Sequence, residues 1–255
     1  MEADEYRRMA AAEASHWWYA ATRELLREAL APHVRPGAAV LDAGCGTGAA
    51  GGWLGERHRA VGIDAEALAL ALHRASRPLA RLVRGDVSRL PFRAGTFDAA
   101  VCVTVLYHEA VREPEAAVRE LARVVRPGGI VALLEPGIPA LRRGHDRVTR
   151  TARRFSRDDL RRLVLAADLE PVRVTGAYSF LVLPAFAKAF LERGRATSDL
   201  ASGGGGLAGI LPRLAALERR WLARRDLPAG LSVLALARRR AAAAAAGQAR
   251  VAVPQ

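Results

Sequence analysis

The chain has 255 residues, 51% of them hydrophobic, and a net charge of +13. This length suits one large α/β domain with additions and a full core. The two cysteines, Cys45 and Cys102, come with no CxxC or Cys/His cluster, which excludes a disulfide framework and a zinc site, so no metal is expected. The positive charge is weak evidence for a nucleic-acid partner: Lys188 is the only lysine, and such a skew toward arginine reads as base-composition bias, with the arginines scattered rather than grouped on one face.

In chain order, Glu2 to Leu30 reads as one or two helices with a break near Ser15. The opening residues are acidic and lack the basic start and apolar core of a signal peptide, so a cytoplasmic, reduced protein is expected. Pro32, Pro36 and Gly37 lead into alternating strands and helices. Strands are predicted near 38–42, 59–63, 80–84, 97–103 and 129–134. A helical pattern follows from Ala49, and another helix spans Pro114 to Val125, opening on residues suited to a first turn. Ser156 caps a helix to about Ala167, and strands follow at Pro171–Ala177 and Leu231–Ala237. About fifty residues, Tyr178 to Gly230, lie between these last two strands, far more than a hairpin needs. They read as two helices around the glycine stretch at 202–206. The expected fold is therefore α/β: a doubly wound parallel sheet with N-terminal helices and a helical insert near the C-terminus. The expected divisions are a helical cap over 1–37, a core domain over 38–238 with a lid at 178–230, and a tail over 239–255 without stable structure.

Chemistry concentrates at Val40-Leu41-Asp42-Ala43-Gly44-Cys45-Gly46-Thr47-Gly48. An apolar run reads as a buried parallel strand. Gly44 and Gly46 then let the backbone turn and approach a ligand. With Ala49 they satisfy a dinucleotide pattern, but Asp42 at the strand tip disfavours a pyrophosphate, which needs bare amides and a helix dipole. A carboxylate welcomes an ammonium group, and S-adenosylmethionine carries an ammonium, a sulfonium and no phosphate. Asp64 ends the next apolar stretch twenty positions after Gly44, the spacing of an acid that accepts from both ribose hydroxyls. Asp86 follows a third strand, placed to accept from the adenine amino group with Val87 against the ring. Tyr19 and Arg23 share one helical face, and Arg23 is a candidate partner for the cofactor carboxylate. Thr104, just past the fourth strand, joins the expected cofactor-binding set.

These pieces resemble the class I S-adenosylmethionine-dependent methyltransferases. The resemblance rests on the glycine loop, Gly62-Ile63-Asp64, Gly85-Asp86 with Leu90-Pro91-Phe92, Thr96-Phe97-Asp98 and Arg126-Pro127-Gly128-Gly129. It covers Val40 to about Leu134. It implies a Rossmann-like, doubly wound, seven-stranded sheet in which the last two strands pair antiparallel at the edge. The flanks are similar to one branch: His16-Trp17-Trp18-Tyr19 with Arg23, His145-Asp146, Arg153-Arg154-Phe155, and Leu227-Pro228-Ala229-Gly230-Leu231-Ser232. That branch often carries a histidine where this chain has Thr151.

Methyl transfer requires alignment, exclusion of water and, for a hydroxyl acceptor, a base. His108 is the first candidate, at the carboxyl edge of the fourth strand; its alternative role is to pack or to cap the next helix. His145, with Asp146, is the second, the alternative being a structured loop held by Arg153 or Arg154. The expected function is methyl transfer to a small molecule, a glycan or secondary metabolite, at oxygen narrowly ahead of nitrogen. The rivals are an RNA or other nucleic-acid methyltransferase, a nicotinamide-dependent oxidoreductase or epimerase, and a non-catalytic protein of the same fold. Thr104-Val105-Leu106-Tyr107 lacks the Asn/Asp-Pro-Pro-aromatic motif of enzymes acting on base amines. The apolar segment from Ala177 to Phe190 is too short and interrupted to span a bilayer; it suits a pocket wall, a lid or a membrane-resting surface. Oligomeric state is left open.

Overall fold

Alternating burial along the central strands builds two cores, one on each face of a single sheet. In β4 (Phe97–Val103), Ala99, Val101 and Val103 join one cluster, while Phe97, Ala100 and Cys102 join the other. In β5 (Val125–Pro136), Ile130, Ala132 and Leu134 alternate in the same way with Val131 and Leu133. This is the period-two geometry of a strand covered on both sides. The computed structural model describes residues 3–49, 51–141, 143–192 and 209–241.

The sheet has seven strands: β1 (Ala39–Ala43), β2 (Arg59–Asp64), β3 (Arg81–Arg84), β4, β5, β6 (Leu169–Ala177) and β7 (Ser232–Arg239). Their order is β3-β2-β1-β4-β5-β7-β6. The pairs from β3 to β5 are parallel, and β7 runs antiparallel to both β5 and β6. This is the doubly wound architecture expected from the sequence, with the antiparallel pair at one edge. The chain reverses between β2-β3 on one side and β4-β5 on the other, which opens a crevice at the carboxyl ends of β1 and β4.

Before the sheet come α1 (Ala3–Ala12) and α2 (Trp17–Leu30), separated close to Ser15. His16 caps α2, its Nδ1 accepting the Trp18 amide at 3.3 Å. Leu25, Leu26 and Leu30 bury one face of α2 against the sheet, where α9 (Ile210–Leu222) also packs. The opposite sheet face carries α5 (Pro114–Val124) and α7 (Arg157–Ala166). Ser156 and Asp159 close a reciprocal capping box at the start of α7, as the Ser156 cap predicts.

Two expectations need correction. The helix predicted from Ala49 is only a short α3 (Leu54–Arg57), preceded by turns. Gly48 sits at φ +93°, and Gly51, Gly52 and Gly55 weaken helix propensity further. The tail was expected to begin at Arg239, but Arg239 is paired in β7 opposite Leu169. Its guanidinium donates to the carbonyls of Arg123, at 2.7 Å, and Val125, so the strand continues while it has partners. Residues 242–255 and the glycine stretch at 202–206 lie outside the described residues.

The insert between β6 and β7 opens with a short 3-10 turn at Ser179–Leu181 and continues as α8 (Val182–Glu192), with α9 after the connection. Tyr178 turns the chain at φ +58°. The Glu218 carboxylate of α9 accepts the amides of Tyr178 and, at 2.7 Å, Ser179. The Tyr178 hydroxyl meets Thr22 Oγ1 of α2 at 2.8 Å. The insert is thus fastened to both the sheet and the N-terminal helices.

Candidate active site

A cleft of about 550 Å³ opens at the carboxyl edge of β1 and β4, within the usual range for small-molecule sites. Its floor is the loop Gly44–Thr47. Gly44 lies at φ +74°, and a Cβ there would stand 2.2 Å from Val105 Cγ2; Gly46 lies at φ +51° with open space where a Cβ would be. Gly44 therefore permits close packing of β1 on the loop after β4, while Gly46 keeps the floor open. The Gly44 and Cys45 amides both donate to Ile63 O, at 2.8 and 3.0 Å.

Asp64 fastens this loop from below. Its Oδ2 accepts the Gly46 amide and its Oδ1 the Glu66 amide, each at 2.9 Å. Burial raises its pKa, opposed by these same amides. Asp86 is exposed, its Oδ1 accepting the Ser88 amide at 2.8 Å. Val87 is buried with Leu90 and Phe97 in the core. Asp42 differs most from the expectation of an acid on the cleft floor. Its carboxylate tucks under Gly51, where an added Cβ would lie 1.9 Å from Oδ2. It borders a neighbouring cavity with His73 and Arg77. Burial, then the Asp64 charge, pushes Asp42 up to about 7, with Arg77 opposing.

The cleft walls come from distant parts of the chain. Trp18 and Tyr19, neighbours in sequence, both border it. Their rings meet edge to face at 5.1 Å, which brings them to one wall. Trp17 stands edge-on to Tyr178 at 6.0 Å. Arg23 does not line the cleft; it donates to Ala49 O at 3.0 Å, tying α2 to the end of the glycine loop. Thr104, at φ +52°, borders the cleft and turns its hydroxyl to Val103 O at 2.7 Å.

The two candidate bases separate. His145, in the short helix α6 (Gly144–Val148), borders the cleft beside Thr151. His108 is outside that lining; its Nδ1 accepts the Ala110 amide at 3.1 Å, and burial lowers its pKa. His108 therefore fastens a turn ahead of α5 and does not cap that helix, whose N-cap is Glu113. Asp146 is engaged by arginine and backbone. Its two oxygens meet the Arg154 guanidinium, and Oδ2 also accepts the Arg143 amide at 3.0 Å. The pair is buried, with side-chain exposures of 4% for Arg154 and 11% for Asp146.

Glu135 was missed by sequence reasoning. It is fully buried at the end of β5, and its carboxylate accepts the amides of Val105, Leu106 and Tyr107 at 3.1, 2.9 and 3.2 Å. Burial pushes it up to about 8, against the pull of these three amides. The available signal was a lone acid closing the apolar run Ile130–Leu134. Thr47 was also missed: its Oγ1 is buried at the cleft floor with no hydrogen-bond partner.

The donor set suits S-adenosylmethionine. Gly46 leaves backbone room, Thr47 Oγ1 awaits a polar partner, and carboxylates stand behind the loop and at the carboxyl ends of β2 and β3. No phosphate-binding cation faces this floor from the loop itself. The topology and crevice define the Rossmann-like fold of S-adenosylmethionine-dependent methyltransferases.

Residues 41–133 match the methyltransferase domain family, and S-adenosylmethionine is the cofactor of that domain and fold. Among curated relatives, the malonyl-[acyl-carrier protein] O-methyltransferase of Erwinia pyrifoliae is 39% identical over 111 residues, 41% of this chain and 40% of that protein. The demethylmenaquinone methyltransferase of Mycobacterium tuberculosis is 34% identical over 131 residues, 48% of this chain and 49% of that protein. The chain spans at most about half the length of these relatives. A solved structure of the Haloferax volcanii Trm112 methyltransferase activator in complex with a methyltransferase aligns at a TM-score of 0.63 and 20% identity, covering 94% of this chain and 96% of that one. Geranyl diphosphate methyltransferase with GPP and sinefungin aligns at 0.55 and 20%, covering 84% and 77%. The [4+2]-cyclase SpnF aligns at 0.56 and 22%, covering 85% and 81%. At these identities the structural likeness establishes the fold; the cyclase illustrates that the fold does not by itself dictate the reaction.

Proposed function

We propose that this protein transfers a methyl group from S-adenosylmethionine to a small-molecule acceptor, at oxygen. The observation that carries the reading is the composition of one cleft: the glycine loop forms its floor, and α1, α2, α6, α8 and α9 wall the remainder. A cofactor on the floor would face a chamber walled by these helices, a setting suited to a small-molecule acceptor.

Bound S-adenosylmethionine supplies a sulfonium methyl group for in-line displacement. In this reading Gly44, Gly46 and Thr47 cradle the cofactor, with Asp64 holding the loop and turning its remaining lone pairs to the ribose. Asp86 accepts from the adenine amine. Tyr19 and Thr104 close the sides. Asp42 supports the loop from behind, and Arg23 holds α2 against it. The helices of the cap and insert exclude water. His145 takes the acceptor proton, a role worth about a hundredfold or more. The aromatic wall at Trp17, Trp18 and Tyr19 supports the likeness to the branch with a His-Trp-Trp segment.

Calorimetry with S-adenosylhomocysteine and NAD tests the cofactor assignment, with binding expected for the first alone. Methyl incorporation from labelled cofactor is then measured against a panel of hydroxylated small molecules and against RNA. Incorporation confined to RNA, with steep salt dependence, would reverse the substrate assignment.

A further inference from the structure

The large apolar side chains left exposed are not evenly distributed. Among the described residues, Leu79, Leu165 and Val172 are scattered, and all the others lie on α8 and α9. On α8 they are Leu183, Phe186, Phe190 and Leu191, and on α9 Ile210, Leu214, Leu217 and Trp221. The spacing on α9 puts its four on one stripe. Arg213, Arg220 and Arg224, also exposed, flank the same side of that stripe. Trp221 is 52% exposed and carries the Arg225 guanidinium over its ring at 5.5 Å. The only acid of α9, Glu218, points inward to the Tyr178 and Ser179 amides. Among the described residues no carboxylate pairs with Arg213, Arg220 or Arg224.

We propose that the outward faces of α8 and α9 dock on an anionic lipid bilayer surface. An apolar stripe bordered by arginines, with a tryptophan at its edge and no acid, is the pattern of a helix lying in a membrane interface. Charge selects this occupant over a second copy of the chain. An antiparallel two-fold contact through α9 would set its arginines against the same arginines. The connecting residues 193–208 contain only Leu200 and Leu207 as large apolar side chains, too few to cover both faces. No described helix is long and apolar enough to cross a membrane, so the contact is peripheral. The proposal does not depend on the methyl-transfer reading.

The test is co-sedimentation of the full chain with phosphatidylcholine vesicles, with and without phosphatidylglycerol. Binding to the anionic vesicles is expected, weakening as salt rises. Leu217→Glu/Trp221→Glu should lower it by about tenfold or more. Arg213→Gln/Arg220→Gln/Arg224→Gln should lower it by about fivefold per arginine. Thermal unfolding, followed by circular dichroism on the same samples, should be unchanged and reports that each variant is folded. Three results would overturn the proposal: no binding of the unsubstituted chain to either vesicle, binding that both variants retain, or a dimer without vesicle binding that Leu217→Glu/Trp221→Glu converts to monomer.

Discussion

Glu135 and Tyr107 sit on different elements, yet Oε2 of the first accepts the backbone amide of the second at 3.2 Å. With Oε1 taking the Val105 and Leu106 amides, the carboxyl at the end of β5 shapes the loop that follows β4. Its pKa is raised from 4.5 to about 8 by burial. Below pH 4.5 it is protonated whether the chain is folded or not. As pH rises from 4.5 to 8, the unfolded chain ionises and the folded one resists, so stability falls by up to about 1.4 kcal/mol per pH unit. Asp42, raised from 3.8 to about 7, acts in the same direction. Glu135→Gln should cost about 1–3 kcal/mol at low pH, by turning an amide donor toward another donor. It should also flatten the decline between pH 4.5 and 8. Urea unfolding across that range measures both.

His145 and His108 should part in activity. His145→Ala is expected to lower kcat by about a hundredfold with little change in affinity for S-adenosylhomocysteine. His108→Ala should leave turnover near that of the unsubstituted protein, because its ring caps a turn outside the cleft lining. Steady-state kinetics on the identified acceptor decides; the opposite ranking would transfer the proton-accepting role to His108.

The two loop glycines should fail differently on substitution by alanine. Gly44→Ala drives a methyl group into Val105 and should destabilise the fold by about 1–3 kcal/mol or more. Gly46→Ala meets open space and bears the left-handed backbone cost of about 1–2 kcal/mol. Its larger effect should be on cofactor affinity, since the methyl projects from the floor. Thermal unfolding and calorimetry, read together, separate these effects.

Two ion pairs provide a contrast in stability. Asp146→Ala leaves Arg154 buried without its carboxylate and should cost about 3–5 kcal/mol. Glu109→Ala removes a partner from Arg150 in a pair exposed at 52% and 50% and should cost about 0–1 kcal/mol. Equal losses in chemical denaturation would contradict the buried role of Arg154.

The order of elements was legible because strands announce themselves locally by apolar runs, and β1, β2, β3 and β5 are closed by an acid or glycine. Ser156 with Asp159, and the break near Ser15, were readable for the same reason: caps and turns act over three or four residues. The truncated α3 was less so, because its glycines had to be weighed against an apolar pattern. Of the expected site residues, Gly44, Gly46, Tyr19, Thr104 and His145 meet at one cleft, whereas Arg23 and His108 serve the backbone around it. Glu135 escaped notice because a buried carboxyl makes sense only when the amides it accepts are seen, and those come from thirty positions earlier in the chain.

By itself the sequence determined the sheet, its winding and the glycine loop, since hydrophobic period and backbone freedom are properties of neighbouring residues. Only the tertiary structure decided which way Asp42 faces, which histidine reaches the cleft, and that the insert turns an apolar, arginine-edged surface outward. Those outcomes depend on packing between segments far apart in the chain, where burial and charge are set by neighbours that no local pattern specifies.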